Sequence, residues 1–321
     1  MPNISISIIA RIVGNVNADG TVGQRILLKK MYTTTGEVLP FVSARAIKRC
    51  IRDELERKGF EIDPFVKAGG SVYNDTGDPV KYVDNDLFGF MRTVSSSKSI
   101  TRQGPIAFSY FVALRDTPIR AEFGARFPRT TEMENPNPFE VEVADILGRM
   151  NVLIYDYIGV FREEELRDDV LRQHRDRLEE IGDTYKLDDS ERVERLRAFL
   201  EILLTPSYVL PRRTNSFNIP EYKVALIVYS RSVPTPISNY LSMDEEENRL
   251  DVERLKSIID MLRSISGSED FQRDFQVYLV VYDKSFVRGL EDLDNIEVLE
   301  AKDVVSLAST LSEALVGGST Q

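Results

Sequence analysis

The stretch MPNISISIIARIVG (residues 1–14) sets Ile4, Ile6, Ile8, Ala10 and Ile12 at a spacing of two, with Ser5, Ser7 and Arg11 on the opposite side. This alternation predicts a half-buried strand at the start of the fold. Turn chemistry follows in GNVNADGTVG (14–23), and RILLKKM (25–31) reads as a second short extended piece. Ser43 then offers a side-chain oxygen to cap a helix over 43–57. Residues 68–103 are rich in Gly, Asp, Asn and Ser and lack a helical period. They read as a long irregular excursion with at most a short strand near Tyr82 or Phe90. IAFSYFVAL (106–114), aromatic and β-branched, reads as one buried strand.

Beyond it, residues 117–142 carry Pro118, Pro128, Pro136 and Pro138. Proline removes the backbone donor that a helix or a central strand needs, so this segment reads as a protrusion. A strand is expected at 152–161, and two charged amphipathic helices over 163–204, joined near 182–188. YKVALIVY (222–229) and FQVYLVVY (275–282) are further buried strands. Between them, residues 250–263 place Val252, Leu255, Ile258, Ile259 and Leu262 on one helical face. A short helix is expected at 304–315. The resulting order is that of an α+β chain with a ferredoxin-like or RRM-like sheet and large insertions, forming a single domain over 1–321.

The chain has 321 residues, with 41 Lys and Arg against 52 Asp and Glu, one His, one Cys and no Trp. A net charge of -11 argues against nucleic acid at first, because phosphate binding needs a positive surface. The charge is uneven, however. Residues 1–130 carry 19 basic and 13 acidic side chains, a net +6, which leaves -17 for the remainder. A polyanion can therefore meet the first part while the second stays in solvent. Cys50 has no partner cysteine, so a reducing cytoplasm is the expected compartment. No run approaches the ~18 apolar residues of a membrane span, and the leading strand alternates where a signal peptide would be uniformly apolar. No membrane partner is expected.

On a helix beginning after Ser43, the side chains of Arg45, Lys48, Arg49 and Arg52 share one face, and Ile47, Cys50 and Ile51 lie opposite. A positive stripe beside a helix N-terminus suits phosphate. Its i,i+4 like-charge pairs each cost about a few tenths of a kcal/mol unless an anion lies between them. The alternative is an ordinary solvated face on which Arg49 pairs with Asp53 and Arg52 with Glu56. DLFGFMR (86–92), followed by Lys98 and Arg102, sets apolar side chains beside cations. That mixture suits a single strand whose bases stack while its phosphates meet charge. Phe88 and Phe90 suit a core equally well, whereas Met91 and Arg92 are the better candidates for contact. Arg120, Arg126, Phe127 and Arg129 lie among the prolines of the protrusion, and Arg212 and Arg213 follow Pro211.

Enzyme motifs are lacking: the sequence has no GxxxxGK[ST], GxSxG, HExxH or CxxC. His174, in RQHRDRLEE, reads as a surface residue on a charged helix. Asp84 and Asp86 (DND) have the chemistry to hold a divalent ion but read more simply as turn residues. No catalytic residue, metal or cofactor is expected.

VLPFVSARAIKRCIRDEL (38–55), DNDLFGFM (84–91) and the Asn-Pro-Phe at 137–139 resemble the DevR branch of the Cas-seven proteins, the repeated backbone subunits of CRISPR Cascade complexes. The helix motif followed by Leu-Phe-Gly carries the resemblance, and past residue 160 only the order of elements matches. Arg45 departs from it, standing where relatives often have a small polar residue. The resemblance implies an RRM-like palm, a web insertion at 61–105, a thumb at 117–142 and an outward-facing helical insertion at 162–208. It also implies a protein that polymerises along guide RNA without cutting it, together with other Cascade subunits. Ser43, Arg45, Lys48, Arg49 and Arg52 would then follow guide phosphates. Met91 and its neighbours would wedge a kinked base, and target DNA would be met through guide pairing. Two alternatives remain from the sequence. One is a metal-dependent endoribonuclease using Asp84 and Asp86. The other, a regulator of its own operon, would need duplex DNA recognition, for which no helix-turn-helix is seen.

Overall fold

The computed structural model describes residues 1–69, 72–95, 98–126, 137–210, 217–231, 240–244, 246–266, 271–290 and 293–318. The chain opens with β1 (Asn3–Gly14), the hairpin of β2 (Ala18–Val22) and β3 (Arg25–Leu28), and the hairpin of β4 (Lys30–Tyr32) and β5 (Val38–Val42), before α1 (Ala44–Arg57). The pair β6 (Val66–Gly69) and β7 (Val72–Asn74) precedes α2 (Val83–Phe88), which runs straight into the hairpin of β8 (Gly89–Ser95) and β9 (Lys98–Gln103). Short strands β10 (Ile106–Phe108), β11 (Phe111–Ala113) and β12 (Arg120–Arg126) all lie antiparallel to β13 (Asn137–Tyr155). After β14 (Val160–Arg162) and α3 (Asp168–Gln173), the hairpin of β15 (Leu178–Ile181) and β16 (Thr184–Leu187) leads to α4 (Asp189–Leu204). β17 (Glu221–Ser230), the two-residue strands β18 (Met243–Asp244) and β19 (Arg249–Leu250), α5 (Val252–Ile265), α6 (Phe271–Asp274), β20 (Phe275–Val281), β21 (Glu297–Glu300) and α7 (Val304–Gly317) follow.

One mixed sheet organises these elements, in the order β21-β20-β17-β1-β13-β11-β5-β4. Within the series β17-β1-β13-β11, every neighbour is antiparallel. One face carries the larger core, to which α1, α4 and α7 contribute Ile47, Ile51, Leu196, Phe199, Leu307 and Leu311. Ile4, Ile6, Ile8, Ala10 and Ile12 of β1 point into it, as their spacing requires. The other face packs Ile9, Leu226 and Val228 under Leu255, Ile258 and Leu262 of α5. The molecule is thus α+β, with helices on both faces of a large sheet.

Several sequence expectations change in position or kind. β1 is buried on both faces, not half-buried: Ser5 and Ser7 are 1% and 0% exposed, and the Ser7 hydroxyl donates to Asn151 Oδ1 at 2.8 Å. A central strand tolerates this polar row because its hydroxyls find partners. The 106–114 strand is two strands, broken at Ser109 and Tyr110. The expected 152–161 strand is divided between the end of the much longer β13, which stops at Tyr155, and the start of β14. Over 163–204, only α4 is a long helix. The first expected helix is six-residue α3 plus a hairpin, which turns at Gly182 with φ +65°. Nor does α4 simply face outward, since Arg192, Arg195, Leu196, Phe199 and Leu203 are buried. Residues 68–103 do contain a helix, α2, whose Asp84, Asn85 and Asp86 are buried among partners and not left in turns.

Candidate nucleic-acid interface

α1 starts where Ser43, in extended conformation, accepts a hydrogen bond from the Ala46 N–H at 3.3 Å. The Ser43 N–H itself donates to Asn17 Oδ1 at 2.8 Å, fixing the helix entry. Ile47, Cys50, Ile51 and Leu55 are buried on the inner side of α1. Burying each of the two isoleucines and the leucine contributes roughly 1.5–3 kcal/mol, which orients the opposite face outward. Cys50 is sealed there, and burial pushes its thiol up to about 12. It is therefore a packing residue and not a nucleophile.

Arg45, Lys48, Arg49 and Arg52 occupy that outer face, but in unequal environments. Arg45 is exposed and has no ion pair among the described residues. Arg49, with its side chain 67% exposed, pairs with Asp53 at 3.1 Å, as the solvated-face alternative anticipated. Arg52 turns inward, away from Glu56. Its Nε lies 2.8 Å from Asp84 Oδ2, and its guanidinium carbon is 5.0 Å from the Phe88 ring centroid. Between them, Lys48 Nζ sits over two rings, 5.4 Å from the Phe88 centroid and 5.7 Å from that of Phe108. Phe88, Phe108 and Phe199 form a mutually edge-on cluster beneath it, with centroids 5.9–6.2 Å apart. Lys48 has no carboxylate partner among the described residues. Burial, reinforced by the charge of Arg52, brings its pKa down to about 8.

The Leu-Phe-Gly segment meets this helix face. Gly89, with φ +77°, joins α2 to β8 so closely that a Cβ there would lie 2.3 Å from the Arg102 carbonyl oxygen. Only glycine fits the turn. It leaves Phe88 and Phe90 buried and Met91 61% exposed. Asp75 pins the strand: its carboxylate accepts the Met91 N–H at 2.9 Å, and its carbonyl accepts from Arg92 Nη1 at 3.0 Å. Burial raises the Asp75 pKa, and the hydrogen bond from the Met91 N–H partly offsets that rise. No pattern in the turn-rich sequence around Asp75 marks it for this role. Phe108 was legible only as a strand residue.

Other expected contacts are placed elsewhere. The Arg102 side chain is fully buried, paired with Asp86 at 2.8 Å and Glu165 at 2.9 Å, so it does not reach a surface polyanion. Its sequence neighbours are polar, and nothing in them distinguishes it from Arg92. Asp86 also takes Arg195 at 2.9 Å and the Gly159 N–H, while Asp84 takes Arg52 and the Asp63 N–H. Asp84 and Asp86 are 2% and 0% exposed and paired with arginine, so neither is left open toward a divalent ion in this structure. Among the described residues, no group of three His, Cys, Asp or Glu side chains could hold a metal. His174 is also not at the surface. It is 7% exposed, and its Nε2 lies 3.0 Å from Asp78 Oδ2. Lys98 opens β9 and Arg126 closes β12, both at positions where only the backbone is described. Phe127, Arg129, Arg212 and Arg213 lie outside the described residues. Arg120, in β12, pairs across the strand with Val143.

The surface so assembled offers exposed and half-buried cations above an apolar floor, with no nucleophile or acid–base pair among them. The family model described as "CRISPR-associated negative auto-regulator DevR/Csa2" matches residues 66–245, more than half of the chain. No curated protein matches the sequence significantly. Among solved structures, a chain of a "CRISPR RNA-guided surveillance complex" superposes with a TM-score of 0.53 at 14% identity, covering 96% of this chain and 99% of that one. A chain of a "CRISPR RNA-guided surveillance complex, pre-nicking" gives 0.55 at 12% identity, covering 96% and 100%. At these identities the likeness is one of fold. No helix among the described residues is long and apolar enough to cross a membrane.

Proposed function

The chain belongs to the DevR/Csa2 family of CRISPR-associated proteins, and from that premise we propose that it is a non-catalytic Cascade backbone subunit that holds guide RNA by its phosphates. In this reading, further copies of the chain and other Cascade subunits assemble along the guide, and target DNA is engaged through guide pairing. The observation that carries the proposal is Lys48, a cation set on an aromatic floor without a carboxylate among the described residues, flanked by the accessible Arg45 and Arg49. A desolvated cation lacking an internal counter-charge gains most from an external anion.

The strand series β17-β1-β13-β11, with α1 and α4 on one face, supports a ferredoxin-like, RRM-like palm. The antiparallel ladder from Arg120↔Val143 to Arg126↔Asn137 supports a thumb within 117–142. In this reading Met91, exposed on β8 three residues beyond Phe88, would meet a displaced base. The acidic remainder of the chain leaves the guide to the basic part.

Sequencing the RNA that copurifies with the protein, coexpressed with a CRISPR array, tests the proposal. Enrichment of repeat-derived transcripts, intact in the presence of magnesium, is expected. Specific retention of duplex DNA, or magnesium-dependent cleavage of guide-complementary RNA, would replace the proposal with the regulator or the nuclease reading.

A further inference from the structure

On the sheet face turned away from α1, the register sets a row of side chains across four strands. Val42 and Phe111 belong to the α1-side core, so their neighbours Phe41 and Val112, which pair with each other, face the other way. Val112 pairs in turn with Arg149 of β13, and Arg149 with Ile9, a member of the α5-side core. At the other end, the Phe41 N–H donates to the Lys29 carbonyl at 3.0 Å, one step beyond the β4–β5 ladder, placing Lys29 opposite Phe41. The row from Lys29 through Phe41 and Val112 to Arg149 spans about 14 Å, three strand spacings.

The strand break at Ser109 and Tyr110 adds an aromatic to this row. Phe108 and Phe111 both enter the α1-side core although three residues apart, so one extra residue is accommodated between them. Ser109 holds the irregularity. Its N–H donates to the Asn151 carbonyl, and its Oγ accepts the Asn151 N–H at 2.8 Å and donates to the Tyr110 carbonyl at 2.8 Å. Tyr110 is thrown outward, 51% exposed, and stacks on Phe41 with centroids 5.3 Å apart and planes 20° from parallel. Cations flank the stack without internal neutralisation. Arg149 donates to the Leu241 carbonyl at 2.6 Å, and neither it nor Lys29 has an ion pair among the described residues. Burial and the neighbouring charge of Arg254 lower the Arg149 pKa. The carboxylates on the adjoining turns are engaged: Glu37 with Thr33 and Thr35, and Asp116 with the Val38 N–H.

We propose that this strip is a second single-stranded nucleic-acid surface, on which a base stacks against Tyr110 while flanking phosphates meet Lys29 and the Arg149 region. An open ring pair between unneutralised cations matches the two features of such a strand, flat bases and a regular negative charge. An acidic peptide would satisfy the cations and leave the rings unused. The inference stands on this row alone and does not depend on the α1 stripe.

The test uses full-length protein carrying Lys48→Glu and Arg49→Glu, ultraviolet crosslinking to a short oligothymidylate, and peptide mapping. Crosslinking at Tyr110 is expected. Tyr110→Ala should weaken binding about tenfold, since a stacked base contributes roughly 1–3 kcal/mol. Tyr110→Phe should preserve binding, and Lys29→Glu should weaken it. Crosslinks confined to other segments, unchanged binding by Tyr110→Ala, or equally effective competition by polyglutamate would each overturn the proposal. RNA retention by the Lys48→Glu/Arg49→Glu protein is read separately and reports on α1 alone.

Discussion

Arg52 and Asp84 form a pair 2.8 Å apart in which the carboxylate is 2% exposed and the guanidinium only 22% exposed, beside the half-buried Lys48. Among the four basic residues of the α1 stripe, Arg52 is neutralised by a buried carboxylate and Arg49 shares an exposed pair with Asp53, while Arg45 and Lys48 have no ion pair among the described residues. Asp84→Asn removes the counter-charge, leaving Arg52 partly buried without a partner. Stability should fall by about 3 kcal/mol in urea titrations. The released Arg52 should at the same time steepen the salt dependence of RNA binding by about 0.7 in log–log slope. Abolition of a magnesium-dependent cleavage by this variant would instead assign Asp84 to catalysis.

Arg102 should behave in the opposite sense to the α1 cations. Its loss strands Asp86 and Glu165 in the interior, so Arg102→Ala should cost about 3–5 kcal/mol of stability. The affinity of the folded protein for RNA should not change. Filter binding beside denaturant unfolding separates the two effects, and weakened binding without destabilisation would contradict the burial argument.

Lys48 provides a pH signature. Its pKa near 8 in the free protein lies below the ~10.4 of an unfolded lysine. Between these values the unfolded chain holds the proton and the folded chain does not. The Lys48 contribution to stability therefore rises with pH over that window. A bound phosphate favours the ammonium, so RNA affinity should be constant below about pH 8 and fall above it. Lys48→Arg, which stays charged, should flatten the affinity profile. Parallel pH profiles for the two proteins would contradict this assignment.

Salt titration counts the contacts. With Arg45, Lys48 and Arg49 each meeting a phosphate, the log–log slope for single-stranded RNA should include about -2 per protomer from α1. Replacing Lys48 and Arg49 by alanine should remove about 1.4 of it. A slope unchanged by both replacements would place the contacts elsewhere.

How legible the molecule was depended on where each signal arises. The strand at β1, the Ser43 cap and the apolar inner face of α1 are local properties, set by periodicity and by one side-chain oxygen, and they emerge as read, although β1 is buried on both faces. β17, β20, α5 and α7 likewise follow from apolar runs or a single helical face. The interior polar network was not legible. Asp84, Asp86, Arg102 and His174 look like solvated residues because their partners lie from 16 to 109 positions away in sequence. Sequence spacing encodes no such pairing. For the same reason Arg52 could be given Glu56 as a partner, one helical turn away, when Asp84 is the residue it meets. The bulge that exposes Tyr110 depends on Asn151 of a distant strand, and within IAFSYFVAL it resembles an unbroken strand.

The central claim, that α1 grips guide RNA through Lys48 and Arg49, is tested most directly by the A260/A280 ratio of protein purified after coexpression with a CRISPR array. We expect wild-type protein to carry RNA, and the Lys48→Glu/Arg49→Glu protein, equally folded, to show the ratio of protein alone. Undiminished RNA on the double variant would contradict the claim.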